Sequence, residues 1–315
     1  MLATLPVVLP IFALILTGWL ARRGGLLGPQ ATSEINRFVV YLALPALLFD
    51  VMAHAAWSEI WQPGFIAAFG GSSLALLALT VALRLRRGRP LADAAIDGLN
   101  AAYPNTGFMG FPLALVALGP AALAPTTIAT ILTVCLVFAG AIVLIEAGLR
   151  AGPGGARLVG AVARALARNP LLLAPLAGAL LAASGLAVPA PAETFLKLLG
   201  GAASPCALVA LGLFLARSGG AGAPRPGREA GATALLVALK LVVHPVLTYA
   251  LGRWLGLSPI LLHTAVLMAA LPTGTGPFML AEFYRREGAV TADTILVSTV
   301  LSVGTVSAYL AVAAG

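Results

Sequence analysis

The chain has 315 residues, of which 60% are hydrophobic and only 10% charged, and its mean hydropathy is +1.00. This composition excludes an ordinary soluble domain and identifies an all-α integral membrane protein with no room for a separate soluble domain. The net charge of +8 comes largely from arginines in short loops between apolar runs, a pattern of topogenic charge rather than of nucleic-acid binding. The function must therefore lie within the membrane.

Apolar runs of about 20 residues, long enough to cross a bilayer, recur along the whole chain. The first, LPVVLPIFALILTGWL, precedes Arg22 and Arg23 and lacks a cleavage site of small residues, so we expect a retained helix rather than a signal peptide. We predict ten transmembrane helices, at 3–21, 34–53, 62–85, 92–118, 122–148, 169–187, 193–217, 230–255, 258–284 and 290–313.

The arginines predict the orientation of these spans. All of them except Arg253 fall in or beside the odd-numbered connections. By the positive-inside rule those connections are cytoplasmic, and both termini lie outside the cytoplasmic (inner) membrane. The longest connection, 149–168, carries Arg157, Arg164 and Arg168, and we expect it to be a linker whose short basic amphipathic helix lies along the inner surface.

The two sides of this linker, 1–148 and 169–315, resemble each other. Pro10, Gly18 and Pro45 recur 160 residues later as Pro170, Gly178 and Pro205, and the AAYPN of the fourth span recurs as AALPT in the ninth. Because five spans is an odd number, the second copy must be inserted upside down. Inverted repeats with matching broken helices are the architecture of secondary transporters.

Both the fourth and the ninth span contain helix-breaking residues near their middle. Pro104 in AAYPNTGFMGFP (101–112) and Pro272 in LPTGTGPF (271–278) each remove a backbone donor and disfavour helix before them. Unsatisfied backbone groups in hydrocarbon cost several kcal/mol, so such breaks persist only where they line a polar cavity or are buried in protein. The alternative is a pair of proline kinks used only for packing.

We therefore predict that two half-helix N-termini meet near the midplane and form an anion site. The candidate substrate-binding residues are Pro104, Asn105, Thr106, Gly107, Pro272, Thr273, Gly274, Thr275 and Gly276.

Lys240 lies in the middle of the eighth span, where a lysine costs about 2.5–3.5 kcal/mol on insertion scales and must face a partner or a cavity. His244 follows four residues later on the same helix face. Two interpretations stay open. The pair contributes to substrate binding, as a cation for the anion site or as a proton-coupling pair, or Lys240 is structural and pairs with Asp97 or a backbone carbonyl.

Other ionisable residues have plainer interpretations. Asp50 and His54 sit near the external end of the second span, where they can be interfacial. Three acidic residues lie beside arginines at cytoplasmic ends, where solvated pairing is expected: Glu146, Glu282 and Glu287. Two cysteines fall inside apolar runs and are expected to be small buried hydrophobes rather than metal ligands or a disulfide, and no metal or cofactor is indicated: Cys135 and Cys206.

Four stretches carry a resemblance to a known family: INRFVVYLALPALLFDVMA (35–53), PNTGFMGFPL (104–113), RNP with Gly178 (168–178), and ALPTGTGPFMLAEFY (270–284). On these the chain resembles the auxin efflux carrier family, which includes plant auxin exporters and bacterial malonate and malate permeases. Together they touch both repeats. The two broken-helix motifs are the specific ones.

The resemblance implies ten helices in two inverted five-helix repeats, with the fourth and ninth crossing at their prolines. It also implies a dimerising scaffold of spans 1, 2, 6 and 7, whose Pro45 and Pro205 face the crossover, and a mobile unit of spans 3–5 and 8–10 that carries substrate in an elevator motion. Departures from the plant branch, Thr273 after the ninth-span proline and GGSS at 70–73, argue against auxin as the substrate.

The leading interpretation is a secondary transporter that moves a small organic anion, a mono- or dicarboxylate, by alternating access. The first alternative is a sodium-coupled symporter or proton antiporter of the related bile acid and sodium/proton carrier type, in which an ion role would depend on Asp97, Lys240 or His244. The remote alternative is an intramembrane enzyme or sensor, for which the chain has no catalytic dyad and no HExxH motif. The expected partners are the anion, the lipid bilayer and a second copy of the chain.

Overall fold

The architecture is helical wherever the computed structural model describes the chain, which is at residues 5–54, 61–150, 160, 163–164, 166–218, 228–286 and 288–313. Within those ranges the extended backbone is limited to short connections and one isolated antiparallel bridge. The all-α prediction is thus confirmed for the described residues. Arg157 and Glu287, and most of the 149–168 linker, lie outside them.

The helices follow the apolar runs of the sequence. We number them α1 (Leu5–Arg23), α2 (Ala31–Ala53), α3 (Pro63–Arg86), α4 (Leu91–Ala102), α5 (Thr106–Leu118), α6 (Pro120–Leu149), α7 (Pro170–Ser184), α8 (Ala190–Ala216), α9 (Glu229–Trp254), α10 (Pro259–Ala270), α11 (Gly276–Phe283) and α12 (Ala289–Ala313).

Six of these helices are long and apolar enough to cross a membrane, namely α2, α3, α6, α8, α9 and α12. The chain is therefore a multi-pass membrane protein. Three shorter apolar helices, α5, α7 and α10, fall below that length. The number of ten crossings and the inverted orientation of the halves stay predictions.

Glycines let two pairs of helices approach closely. A Cβ on Gly18 of α1 would lie 2.1 Å from the carbonyl oxygen of Val209 in α8, and one on Gly178 of α7 would lie 2.4 Å from that of Phe49 in α2. Both distances are far below van der Waals contact, so only glycine fits. The two glycines that the repeat pattern relates therefore have the same packing role in corresponding helices.

Several of the helices contain a π-turn, a local widening that is often found at functional sites. One forms the first turn of α5, Thr106–Gly110, directly after the first break. Another, Leu239–Val243, interrupts α9 and carries Lys240. Both irregular turns therefore lie at positions that the sequence singles out.

Candidate functional site

The two proline motifs interrupt the helices. Helix α4 ends at Ala102, and Tyr103 is extended with φ −107° and ψ 90°. Helix α10 ends at Ala270, and Leu271 is likewise extended with φ −60° and ψ 152°. These conformations are the ones that a following proline favours, because its ring disfavours helix at the residue before it.

The two breaks are hydrogen-bonded to each other. The N–H of Asn105 donates to the carbonyl of Pro272 at 2.9 Å, and the N–H of Gly274 donates to the carbonyl of Tyr103 at 2.9 Å. Together they form the antiparallel bridge between Pro104 and Thr273. Each break thus supplies the partners that the other needs in an apolar environment. We call the paired segments 103–106 and 271–275 the crossover.

Thr273 ties the crossover to the neighbouring helices α4 and α12. Its side chain is fully buried, and its hydroxyl donates to the carbonyl of Asn100 at 2.8 Å. Its own N–H donates to the hydroxyl of Ser298 in α12 at 3.1 Å. Because these bonds are directed to α4 and α12, Thr273 supports the crossover rather than facing an open space.

The glycines of the crossover have different roles. A Cβ on Gly274 or Gly276 would lie within 3.0 Å of the ring of Tyr103, so both provide room for that ring. A Cβ on Gly107, in contrast, would meet nothing within 4 Å, and this residue is exposed to the cavity described next. Of the predicted glycines, Gly107 is therefore the one that leaves backbone open to a guest.

A cavity of about 330 Å³ lies between the crossover and the opposite helices. The crossover side contributes Asn105, Thr106, Gly107 and Thr275, whereas α2 and α8 contribute small and apolar residues including Pro205. Pro104 lines it as well. Pro45 is not among the lining residues, although its neighbours Leu44 and Leu47 are. The remaining lining residues are Val51, Tyr103, Phe108, Phe111, Thr127, Thr130, Val134, Gly200, Gly201, Ala203, Ser204 and Met279.

The polar character of the cavity comes from uncharged groups. Asn105 is 8% exposed, and its side-chain amide makes no hydrogen bond within the described ranges. Helix α5 starts here, and a helix start leaves its first amides without partners in the helix, including those of Gly107 and Phe108. The cavity thus combines an unpaired amide with a helix N-terminus, which carries a partial positive charge.

Lys240 and His244 lie outside this cavity. Lys240 is fully buried, and its Nζ donates to the carbonyl of Ala269 at 2.6 Å and lies 3.1 Å from Nδ1 of His244. Ala269 belongs to the last turn of α10, where the negative end of the helix dipole lies. The backbone-carbonyl contact that the structural interpretation requires is therefore present, and it lies three residues before Pro272.

The neighbours of His244 define its tautomer. The Ser73 hydroxyl donates to the carbonyl of Phe69 at 2.8 Å, so at 3.0 Å from His244 Nε2 it must accept a hydrogen bond from an N–H at that nitrogen. Nδ1 of neutral His244 is then an acceptor, and the Nζ of Lys240 donates to it. A buried chain of polar groups therefore runs from α3 through α9 to the end of α10.

Asp97 is not the partner of Lys240, contrary to one of the alternatives. It lies 2.6 Å from Nε of Arg84 and 3.4 Å from Nε of Arg89. Asp97 is 2% exposed. Its two guanidinium partners come from the end of α3 and the loop that follows, which are much nearer to Asp97 in sequence than α9 is. The charge of Asp97 is thus balanced at that end of the protein.

Two other expectations have different outcomes. His54 lies 3.1 Å from a carboxylate oxygen of Asp50, and its side chain is 42% exposed, as an interfacial pair would be. Glu146 pairs with Arg150, as expected, but the expected solvation of this carboxylate is wrong, because the residue is only 6% exposed. Tyr284 covers it and donates its hydroxyl to Oε1 at 2.9 Å, while Arg150 binds Oε2.

Some residues of the site were not singled out from the sequence. Tyr103 fills the space beside two crossover glycines, Asn100 and Ser298 hold Thr273, and Thr127 and Thr130 line the cavity from α6. Tyr103 lies within the proline motif, directly before Pro104, and its position there is a signal that the sequence offers. The others had no local signal, because hydroxyl groups in apolar helices commonly bond their own backbone.

The comparisons with known proteins agree with this picture. A family model described as a membrane transport protein matches residues 4–152 and 156–310, so the chain belongs to this family of membrane transporters. It is a transporter and not an enzyme.

Individual relatives confirm the resemblance to auxin efflux carriers and malonate permeases. A protein of Rhizobium meliloti named "Putative malonate transporter" is 36% identical over 96% of this chain and 93% of its own length. An "Uncharacterized transporter" of Methanothermobacter thermautotrophicus is 28% identical over 94% of this chain and 93% of its own length. The rice "Probable auxin efflux carrier component 5c" is 29% identical over 47% of this chain and 40% of its own length.

Proposed function

We propose that the protein carries a small organic anion, a mono- or dicarboxylate such as malonate, across the cytoplasmic membrane by alternating access. The observation that carries this proposal is the cavity at the crossover, where an unpaired Asn105 amide meets the open start of α5. Helix N-termini at broken spans are where transporters hold anionic groups. The name of the Rhizobium relative supports a dicarboxylate.

The residues divide into three roles. Asn105, Thr106, Gly107 and Thr275 face the anion, because they line the cavity. Pro104, Pro272, Thr273, Gly274 and Gly276 build the crossover behind it. Lys240 and His244 act from α9, where Lys240 balances the carbonyl end of α10.

The transport cycle that we propose is an elevator motion within two inverted five-helix repeats, 1–148 and 169–315. The cavity supports it, because one wall belongs to the crossover and the other to α2 and α8, which the family resemblance assigns to the scaffold. A movement of the crossover against that wall would expose the anion on the other side. Dimerisation through the scaffold and external termini are part of the same proposal.

Coupling to a cation is the second candidate, and one observation favours it. The chain Lys240–His244–Ser73 is buried, hydrogen-bonded and next to the crossover, a position where a proton could affect substrate affinity. A sodium site of carboxylates is less supported, because the residues that line the crossover cavity include none. Malonate uptake that follows a pH gradient would indicate proton coupling.

The test is a thermal-shift measurement on the purified protein with malonate and related carboxylates. We expect malonate to raise the unfolding temperature of the parent and to have no effect on Asn105→Ala. Thr264→Val is the matched control, because the one hydrogen bond of that buried threonine within the described residues goes to the carbonyl of Ile260 in its own helix α10. It should keep the malonate shift.

Two results would overturn the proposal. A shift that survives in Asn105→Ala would locate the anion elsewhere. A screen in which only neutral or cationic compounds stabilise the parent would reject the anion class. Uptake of labelled malonate into liposomes containing the protein then measures transport directly.

A further inference from the structure

A second cavity, also of about 330 Å³, lies where the two halves of the chain meet. It is formed by the end of α6, the start of α7, the end of α11 and the middle of α2. One wall is aromatic, and the other carries charged side chains: Tyr41 and Phe283 on the first, and Glu146, Arg150, Arg164 and Arg168 on the second.

Among the described lining residues the one carboxylate, that of Glu146, is already neutralised. Oε2 of Glu146 accepts from Nε and Nη2 of Arg150 at 3.0 and 2.9 Å, and Oε1 accepts from the hydroxyl of Tyr284. Arg164 and Arg168 are exposed and form no ion pair within the described part of the chain. Two guanidinium groups therefore give the described lining of the cavity a net positive charge.

A helix start adds to this charge. Helix α7 begins at Pro170, and Asn169 caps it by accepting from the N–H of Leu171 at 3.0 Å. The amide of Asn169 also donates to Tyr284 at 3.3 Å, which fixes the cap against α11. The positive end of the α7 dipole thus lies at the wall of the same cavity, where Pro170 is a lining residue.

We propose that this cavity binds a phosphate group, as carried by the headgroup of an anionic phospholipid or by free phosphate. A guanidinium group can bind two oxygens of one phosphate through parallel hydrogen bonds, and basic pockets between transmembrane helices bind anionic lipid headgroups. The aromatic wall of Tyr41 and Phe283, whose rings are 5.5 Å apart, provides an apolar surface beside the charged one. The site lies apart from the crossover cavity and shares no lining residue with it.

The position of the cavity suggests what a bound phosphate would do. It contacts α2 and α7 on one side and α6 and α11 on the other. If the proposed elevator motion moves these pairs against each other, a phosphate held between them stabilises one arrangement and slows transport. This consequence rests on the proposed function, whereas binding itself does not.

The experiment measures thermal unfolding of the full chain in a phosphate-free detergent. Phosphatidylglycerol, phosphatidylcholine and inorganic phosphate are added separately, with sodium chloride at matched ionic strength as the reference. We expect phosphatidylglycerol to raise the unfolding temperature by about 5 °C at a hundredfold excess over its dissociation constant. Arg164→Gln/Arg168→Gln should weaken this binding at least tenfold, and Arg164→Lys/Arg168→Lys should restore part of it.

Arg86→Gln/Arg87→Gln is the matched control, because it removes the same charge from exposed arginines in another connection. It should bind as the parent does. Protection by phosphatidylglycerol alone assigns the site to lipid, and protection by inorganic phosphate assigns it to a soluble phosphate. Equal protection of the parent and Arg164→Gln/Arg168→Gln, or protection by phosphatidylcholine to the same degree, would overturn the proposal. The malonate shift of the parent, measured in the same detergent, tests the transport proposal separately.

Discussion

Replacing Lys240 by methionine separates a structural lysine from one that serves the site. The change leaves two buried acceptors without a donor, the carbonyl of Ala269 and Nδ1 of His244. Each costs about 1–3 kcal/mol, whereas removing a midspan lysine from hydrocarbon regains about 2.5–3.5 kcal/mol. The central values nearly cancel, with a net loss of about 1 kcal/mol, so we expect the unfolding temperature to fall by only about 2 °C.

Transport should respond more strongly. Without the lysine, the carbonyl end of α10, with its partial negative charge, has no donor in the last turn before Pro272. A loss of about 1.4 kcal/mol in binding or positioning the anion corresponds to a tenfold change. We therefore expect malonate uptake into liposomes, normalised to folded protein, to fall at least tenfold in Lys240→Met.

The control is Thr248→Val, which lies on the same helix and removes the contact of 2.7 Å with Ser72. It should cost a few degrees of stability and leave uptake near the parent value. The reasoning is refuted if Lys240→Met unfolds more than 10 °C below the parent while the folded fraction transports normally. Lys240 would then be purely structural.

Two further predictions concern packing and charge. Gly212→Ala adds a Cβ 1.9 Å from the carbonyl oxygen of Ile15, so α1 and α8 must separate, which costs about 1–3 kcal/mol of stability. The Cβ of the control variant Gly201→Ala meets nothing within 4 Å. We expect the unfolding temperature of Gly212→Ala to lie below that of Gly201→Ala. Arg286 binds both carboxylate oxygens of Asp93 at 2.6 Å. A double-mutant cycle with Arg286→Gln and Asp93→Asn should therefore give a coupling of about 1–3 kcal/mol in the free energy of unfolding. Additive effects of the two changes would contradict a stabilising pair.

The helix breaks could be predicted because their cause is local. Proline restricts the residue before it whatever the fold, so extended Tyr103 and Leu271 follow directly from Pro104 and Pro272. The meeting of the two breaks could be expected for a second reason, the cost of leaving backbone groups unpaired in lipid. The bridge between Pro104 and Thr273 is one solution to that requirement.

The partners of the charged residues could not be predicted in the same way. The insertion cost of Lys240 indicates that it needs a partner, but not whether Asp97 or a carbonyl is nearer. In the structure Asp97 pairs with Arg84, and Lys240 donates to the carbonyl of Ala269, which is 29 residues further along the chain. The position of Glu146 four residues before Arg150 at a predicted cytoplasmic end indicates a solvated pair, and only tertiary packing brings Tyr284 over the carboxylate.

The balance of hydrogen bonds supports the proposal that the crossover binds a substrate rather than serving packing alone. A purely structural kink would leave no polar group open, and most groups here meet that condition: the breaks pair with each other, and Thr273 bonds to Asn100. Asn105 is the exception, with an amide that reaches the cavity and has no partner in the described chain. Because that amide is accessible from the cavity, an anion could accept hydrogen bonds from it and from the start of α5 without breaking a hydrogen bond of the described chain. In the proposed function, this open amide is therefore the group that binds the carboxylate.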